Sequence, residues 1–200
     1  GNRIFIERLE GVGVISREDA IDYALTGPNL RASGCEYDIR RAMPYMFYNE
    51  VDFKVAVYNE GDSLARYFVR ADEIRSSAQI IRQCIEKMPQ GEFMLNSPKK
   101  VLPRKTEIYT RMEELIHDFM IVNFGINPPV GEIYSAVENP KGELGFYIVS
   151  QGEGHPWKMK IRSPSFCNLQ ALPHLLKGRY ISDVVAIIGS IDPIMGEADK

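Results

Sequence analysis

The clearest pattern in the sequence is a long apolar repeat in its second quarter. From about Asp62 to Met88, apolar residues recur at intervals of three and four, which is the spacing of one face of an α-helix. The residues in this repeat are Leu64, Tyr67, Ala71, Ile74, Ala78, Ile81, Ile85 and Met88. Pro89 and Gly91 then end the pattern. We therefore predict a helix of about seven turns, and its length favours a helical bundle over an isolated surface helix.

A second long helix is predicted over residues 106–124, with Gly125 as its C-terminal stop. One face of this helix would carry Ile108, Met112, Leu115, Phe119 and Val122. Residues 2–8 have the pattern of the end of another helix, without a cap or an initiator methionine before them. We therefore expect the sequence to be a fragment of a longer chain.

Short helices are predicted at three further places. The first begins after Ser16, which is a favourable N-cap residue, and stops at residues 26–28. The other two lie near residues 171–177 and 182–189. Residues 29–50 contain glycine, proline and several aromatic residues among charges, and they predict an irregular segment.

The periodicity in the last third of the chain changes to that of a sheet. Residues 132–137, 145–150 and 157–162 are predicted to be strands, joined by two polar turns that contain glycine. Short connections of this kind predict an antiparallel meander. Residues 53–58 also alternate between apolar and polar types and could form a strand. We predict a single α+β domain over residues 1–200, with a predominant long-helix bundle and a small antiparallel three-stranded sheet.

Composition and charge exclude several classes of function. The net charge of −3 argues against a nucleic-acid-binding protein, because such proteins usually carry a basic patch. The three cysteines, Cys35, Cys84 and Cys167, lack metal-binding spacing and suit a reducing compartment. The longest purely apolar run, residues 184–188, is far too short to cross a bilayer. We expect contact with a membrane only through partner subunits.

Motifs of the common enzyme classes are absent from the sequence. His117, His155 and His174 are isolated, and no pair has the spacing of a metal site, so structural roles are favoured. A phosphate-binding glycine loop, a nucleophile elbow and a cysteine–histidine pair are also missing. We expect this chain to bind no metal.

Two stretches carry more charge than their predicted structures require. One is the turn at residues 138–145, which contains Lys141 and is longer than a hairpin needs. The other is the C-terminus, where an apolar helix is followed by Asp192 and a proline. Proline disfavours helical geometry at the preceding residue, so Asp192 should turn the chain away from the helix. The tail could be docked through ion pairs of Glu197 and Lys200, or it could form part of a functional site.

Six stretches together resemble one known family. They are GPNLRASG at 27–34, DIRRAMPY at 38–45, EGDSLAR at 60–66, QCIEKMP at 83–89, ENPKGELG at 138–145 and DVVAIIGSIDPIMGEADK at 183–200. Along essentially the whole chain, their order and spacing are similar to the C-terminal half of the hydrogenase-like large-subunit family of NADH:quinone oxidoreductase, respiratory complex I. That family is related to the large subunit of nickel–iron hydrogenases. The resemblance implies a long-helix bundle with a small sheet.

The resemblance offers an explanation of the charged C-terminus. In the hydrogenases the corresponding ending is D-P-C-x-x-C-x-x-H, and its cysteines bind nickel and iron. Ile194, Glu197 and Lys200 stand at those positions here. Because an aliphatic side chain cannot hold these metals and a lysine ammonium does not, the resemblance implies a scaffold without its metal. The family has a quinone cavity in its place, next to the terminal iron–sulfur cluster of a neighbouring subunit.

The resemblance also implies roles for five residues. Ile194 and Met195 would line the quinone site, while Asp192 and Lys141 would supply charge that tunes or relays protons. Glu197 is a weaker candidate. The family's main quinone ligands, a histidine and a tyrosine, belong to the N-terminal half of the subunit. This chain alone should therefore be inactive.

By the same resemblance, the chain belongs to the peripheral arm of an enzyme that passes electrons from NADH to quinone, coupled to proton translocation. It should hold no cofactor itself; FMN and the iron–sulfur clusters would lie in other subunits, with the subunit of the terminal cluster as its main partner. The expected location is the cytoplasmic side of the bacterial inner membrane or the matrix-side equivalent. Two alternatives stay open: a purely structural assembly module and a hydrogenase-related large subunit.

Overall fold

The computed structural model describes residues 2–92, 94 and 101–199. The helices are α1 (Arg3–Leu9), α2 (Arg17–Asp22), α3 (Pro28–Arg31), α4 (Ile39–Ala42), α5 (Ser63–Glu86), α6 (Lys105–Ile108), α7 (Met112–Phe124), α8 (Pro164–Leu169), α9 (Leu172–Leu176), α10 (Asp183–Ile191) and α11 (Met195–Ala198). The strands are β1 (Gly131–Asn139), β2 (Gly142–Ser150) and β3 (Lys158–Arg162). The structure is 46% helical and 12% strand, which confirms the predicted α+β class.

The long helix predicted from the apolar repeat is confirmed as α5. The Asp62 side chain caps its N-terminus by accepting a hydrogen bond from the Ala65 backbone N–H at 2.7 Å. The apolar repeat itself, however, faces outward: Ile74, Ile81 and Ile85 are 71%, 59% and 65% exposed. The buried positions of α5 lie on another face and are mostly small or polar; they are Ser63, Ala65, Arg66, Val69 and Ser76.

The second predicted long helix is divided into α6 and α7. Arg111, between them, has an extended backbone. The Thr110 hydroxyl donates a hydrogen bond to the Thr106 carbonyl at 3.0 Å, and such side-chain bonds compete with a regular helical backbone. The predicted stop at Gly125 is confirmed, since this residue caps α7 with a φ of 69°.

Several other local predictions need correction. Residues 53–58 form no strand; beside them, the Asp52 backbone N–H and C=O both bond to the Gln83 side chain of α5. Residues 29–50, predicted to be irregular, contain most of α3 and all of α4. Residues 2–8 do have a cap, because the Asn2 side chain accepts a hydrogen bond from the Ile4 N–H. Helices α8 and α11 were not predicted.

The sheet has the order β1-β2-β3, which confirms the predicted antiparallel meander. The first turn consists of Pro140 and Lys141 alone, so it is shorter than the sequence suggested. The charge of Lys141 is therefore not explained by a long, solvent-exposed loop.

The chain divides into two compact units. The first comprises Gly1–Lys87, Ala136–Gly145 and Ile161–Lys200, and the second comprises Met88–Ser135 and Phe146–Lys160. The main core of the first unit consists of Ile15, Ala20, Leu25, Leu30, Ala171, Leu175, Ile187 and Ile191. In the second unit, α7 has no buried residue among those described. The prediction of a single domain over residues 1–200 stays a prediction. Among the described residues, no helix is long and apolar enough to cross a membrane.

Candidate functional site

The structure brings together the two charged residues that the sequence singled out most strongly. The Lys141 ammonium and the Asp192 carboxylate form an ion pair although they lie 51 positions apart in the sequence. Lys141 is in the β1–β2 turn, and Asp192 follows the last residue of α10. The Lys141 side chain is 16% exposed and that of Asp192 is 43% exposed. The pair is therefore fixed by the fold, and the Asp192 carboxylate stays partly exposed.

The backbone of Asp192 explains how its carboxylate leaves the helix axis. Asp192 is the C-cap of α10 and has left-handed geometry, with φ 57° and ψ 55°. Its N–H still bonds to the Ile188 carbonyl at 3.1 Å, and Pro193 prevents the helix from continuing. Aspartate is one of the few side chains that tolerate this geometry. The predicted turn at Asp192 is confirmed.

The position of Lys141 depends on a close approach of two backbones. A Cβ atom added to Gly27 would lie 2.5 Å from the Gly142 Cα, so glycine is required at this contact. Asn168 then joins the two segments. Its side-chain N–H donates to the Lys141 carbonyl at 3.1 Å, and its side-chain oxygen accepts from the Thr26 N–H at 3.1 Å. The turn that carries Lys141 is thereby held against the segment before α3.

A buried group of charges holds the end of β1, just before this turn. The Arg31 guanidinium is 2.8 Å from the Glu138 carboxylate and 2.6 Å from that of Glu73. Asp38 lies 3.8 Å from Arg31 and pairs with Arg40 at 2.6 Å. The side chains of Arg31 and Asp38 are almost completely buried. This ion-pair group connects α3, the start of α4, α5 and the hairpin.

The pKa values of this group show which charges the surroundings stabilise. Burial raises the pKa of Asp38, but the hydrogen bond and charge of Arg40, with the charge of Arg31, lower it overall. Burial lowers the pKa of Arg31, while Glu73, Glu138 and Asp38 raise it above its ordinary value. For Glu138, burial outweighs the attraction of Arg31, and its pKa is raised. The guanidinium of Arg31 is thus essential to keeping these carboxylates inside the protein.

The end of α10 is held by a second arginine, Arg70, which is partly buried. One N–H of the Arg70 guanidinium donates to the Ile191 carbonyl at 3.1 Å, and the Arg70 Nε lies 3.7 Å from an Asp192 carboxylate oxygen. The Asn29 side chain donates to the same Ile191 carbonyl at 3.2 Å. Asp192 therefore has two cations close to it, one from the hairpin and one from α5.

The remaining predicted residues lie next to this pair in the chain. Ile194 is 48% exposed and Met195 is 70% exposed, so both present apolar surface beside Asp192 in sequence. The Ile194 N–H donates to the Ser165 hydroxyl at 3.2 Å. Glu197 accepts hydrogen bonds from Ser165 and, at 3.4 Å, from Asn139. Glu197 thus ties α11 to α8 and β1, while Lys200 lies outside the described residues.

No metal site is visible in the described part of the chain, where no group of three or more histidine, cysteine, aspartate or glutamate side chains could hold an ion. A cleft of about 650 Å³ is present in the first unit. It is lined by Glu36, Asp38, Arg41, Ala42, Phe53, Lys54 and Val55. None of the predicted site residues contributes to this cleft.

Sequence reasoning missed Arg31, Arg70 and Asn168, which position the Lys141–Asp192 pair. Arg66 and Arg70 are four residues apart on α5 and hence share one face of it, and Ile74, four residues after Arg70, continues the same row. Charged residues at helical spacing are usually read as the solvated side of a helix. Here Arg66 is buried and Arg70 is partly buried. The burial of Arg31 was missed for a similar reason, because the polar composition of residues 27–34 did not indicate that this stretch is buried.

Comparison with known proteins defines the class of this protein. Over residues 1–200 the chain matches the family of the respiratory-chain NADH dehydrogenase 49 kDa subunit. It is 63% identical over 199 residues to an NADH-quinone oxidoreductase subunit of Chloroherpeton thalassium, covering 100% of this chain and 45% of the relative. It is 53% identical over 200 residues to the corresponding subunit of Salinibacter ruber and 51% over 199 residues to that of Methylacidiphilum infernorum. These matches cover all of this chain and 44% and 48% of the relatives.

The chain is thus similar to components of a respiratory oxidoreductase. It belongs to the family of the 49 kDa subunit of NADH-quinone oxidoreductase. The resemblance inferred from the sequence motifs is confirmed. The chain spans about half the length of the relatives it matches.

Removal of Arg31 should have a large effect on stability. Arg31→Met leaves the Glu138 carboxylate buried without its cation, so the free energy of unfolding should fall by about 3–5 kcal/mol. Urea denaturation of the purified chain measures this change. Arg3→Met is the matched control, because Arg3 pairs with Glu7 on the surface and should change stability by less than about 1 kcal/mol. Equal small effects of the two substitutions would contradict a structural role of the buried group.

Proposed function

We propose that this chain contributes part of the quinone-binding region of an NADH-quinone oxidoreductase. The observation that carries the proposal is the Lys141–Asp192 ion pair, which is formed by two distant segments and is followed in sequence by the exposed apolar residues Ile194 and Met195. The Asp192 side chain of this pair is 43% exposed, and an accessible ion pair can interact with a ligand.

The chemistry of these residues suits a quinone headgroup. Such a ligand presents an apolar ring between two carbonyl oxygens, and an ammonium group can donate a hydrogen bond or a proton to one of them. Lys141 supplies that donor, and Asp192 orients it. Ile194 and Met195 supply apolar wall. Glu197 is engaged by Ser165 and Asn139, so its role is to fix the C-terminal helix near the site.

The rest of the reaction belongs to other parts of the complex. Quinone is the substrate, and electrons from NADH would reach it through FMN and iron–sulfur clusters in other subunits, with proton translocation coupled to this transfer. The principal partner is the peripheral-arm subunit with the terminal cluster. We place the chain on the cytoplasmic side of the membrane or its matrix-side equivalent, attached through partner subunits. Alone, half a subunit should not be catalytic.

A second role, as an assembly module, is favoured by the outward apolar face of α5. Ile74, Ile81 and Ile85 are exposed along one side of a 24-residue helix. Contiguous apolar surface of this kind marks an interface. We propose that the remaining half of the same subunit covers it. A covalently linked segment has a high effective concentration, and the relatives are about twice the length of this chain.

The first prediction from this proposal concerns metal. The described residues include no suitable cluster of ligands, and Ile194 and Glu197 stand where a hydrogenase-related subunit would need thiolates. Tag-free protein should therefore contain no nickel, iron or zinc in stoichiometric amount by elemental analysis. A stoichiometric metal would favour the hydrogenase-related alternative instead.

The second prediction separates quinone chemistry from simple docking of the tail. In the intact complex, Asp192→Asn removes the charge that orients Lys141 with little change in size, so quinone reduction should fall about ten- to a hundredfold, as for a proton donor that is no longer positioned. Ile194→Met keeps hydrophobicity and should alter the affinity of quinone-site inhibitors, with stability changed by less than about 1.5 kcal/mol. NADH oxidation with an artificial acceptor should stay normal in both.

The matched controls for these variants are Asp52→Asn and Ile181→Met, which change exposed residues of the same types. If the tail is only docked, Asp192→Asn should assemble poorly and Ile194→Met should bind inhibitors normally. Normal quinone kinetics and inhibitor sensitivity in both would remove these residues from the site.

The third prediction concerns the outward face of α5. The purified chain should oligomerise or bind a hydrophobic dye, and replacing Ile74, Ile81 and Ile85 with glutamine should reduce that binding without loss of helix content. Co-expression with the other half of the subunit should also reduce it. A monodisperse chain that binds no dye would contradict the assembly role. If dye binding is reduced only by a different subunit, that subunit covers this face of α5 and our assignment to the other half of the same subunit is wrong.

A further inference from the structure

The two cations next to Asp192 are held very differently. The Arg70 guanidinium donates to the Arg66 carbonyl at 3.1 Å, to the Asn29 side-chain oxygen at 3.3 Å and to the Ile191 carbonyl at 3.1 Å. These acceptors lie on α5, α3 and α10. Arg70 is therefore fixed by three elements of the first unit.

The Nε–H of this guanidinium is buried without a hydrogen-bond partner among the described residues. The Nε of Arg70 lies 3.7 Å from an Asp192 carboxylate oxygen. At that distance the interaction is electrostatic and not a hydrogen bond. The Arg70 cation thus neutralises Asp192 without occupying the lone pairs of the carboxylate.

The Lys141 ammonium has fewer polar partners than the Arg70 guanidinium. Within the described part of the chain, the carboxylate of Asp192 is the one acidic group that pairs with its ammonium. A lysine ammonium sits on a flexible four-carbon stem and can rotate between acceptors, whereas a bonded guanidinium cannot. Lys141 can therefore leave Asp192, provided that the carboxylate stays neutralised.

We propose that Arg70 is a positioning residue of the site, the permanent counter-ion of Asp192 that allows Lys141 to exchange its partner for a quinone carbonyl oxygen. This inference rests on the proposed quinone-binding function. If Arg70 were absent, the departure of Lys141 would leave a partly buried carboxylate unpaired, and that cost would keep Lys141 bound to Asp192. With Arg70 present, the three groups carry a net positive charge that favours an electron-rich oxygen.

Arginine is suited to this role because it keeps its charge when buried. Burial lowers the pKa of Arg70, and the charge of Asp192 offsets part of that effect. The ordinary pKa of arginine is so high that the guanidinium stays protonated nonetheless. A lysine at this position would lose its proton more readily and would lack the fork that reaches three acceptors.

The test uses the intact complex with the complete subunit. Arg70→Gln should raise the KM for a short-chain quinone about tenfold, because Lys141 then stays bound to Asp192, while kcat changes less. Electron transfer from NADH to an artificial acceptor should be unchanged, and Arg70→Lys should recover part of the loss. Arg75→Gln is the matched control: it removes the same charge from the same helix, but Arg75 is exposed and pairs with Asp72.

A double substitution shows whether Arg70 acts through Asp192. If the carboxylate charge is already removed, no counter-ion is needed, so Arg70→Gln combined with Asp192→Asn should be no worse than Asp192→Asn alone. Additive losses would indicate a general structural role and would overturn the inference. If Arg70→Gln does not assemble, the same comparison is made with Arg70→Lys, and additivity again decides against it.

The failure of this inference can be distinguished from failure of the proposed function. Normal quinone kinetics in both Asp192→Asn and Lys141→Gln would reject the quinone site itself. If those two variants are impaired but Arg70→Gln behaves like Arg75→Gln, the site stands and Arg70 is not its counter-ion.

Discussion

Hydrogen bonds from the buried face of α5 to the last turn of α10 determine where Asp192 lies. Arg66 donates to the Ser190 hydroxyl at 2.8 Å, and Arg70 donates to the next residue's carbonyl at 3.1 Å. Arg66 is also bonded to the carbonyls of Gly13 and Gly61 and has no carboxylate within ion-pair distance among the described residues. Burial, together with the charge of Arg70, lowers the pKa of Arg66 to about 10. Because burial of the Arg66 charge is costly, α5 and α10 can pack only in arrangements in which every N–H of this guanidinium finds an acceptor.

The Lys141 side of the pair has its own, separate support. The contact between Gly27 and Gly142 sets the distance of the hairpin from the segment before α3, and the Arg31–Glu138 ion pair fixes the end of β1. Neither of these contacts involves α10. Lys141 and Asp192 therefore meet because different contacts with α3 and α5 hold the two segments that carry them. Their own ion pair, which is partly exposed, is too weak to impose that geometry.

Local structure could be predicted from the sequence because its causes are local. Ser16 begins α2 by accepting a hydrogen bond from a backbone N–H, and Gly125 ends α7 because it tolerates a positive φ. Pro193 clashes with a helical backbone at Asp192, the residue before it. Long-range contacts could not be predicted in this way. The family resemblance indicated Lys141 and Asp192, but nothing in their spacing shows that they touch. Arg70 was missed because a charged helical face normally points to water.

The orientation of α5 could not be predicted from the periodicity of its sequence. Periodicity shows which residues share a face, but which face is buried depends on everything the helix packs against. Within this chain, α10 and α3 pack on the side with Arg66 and Arg70, and these polar contacts define one arrangement without contributing much net stability. Ile74 and Ile81 lie further along the helix than Arg70; they stay exposed and can supply binding energy to another surface. The polar contacts that position Asp192 thus lie towards the N-terminal end of this helix, and exposed apolar side chains follow further along it.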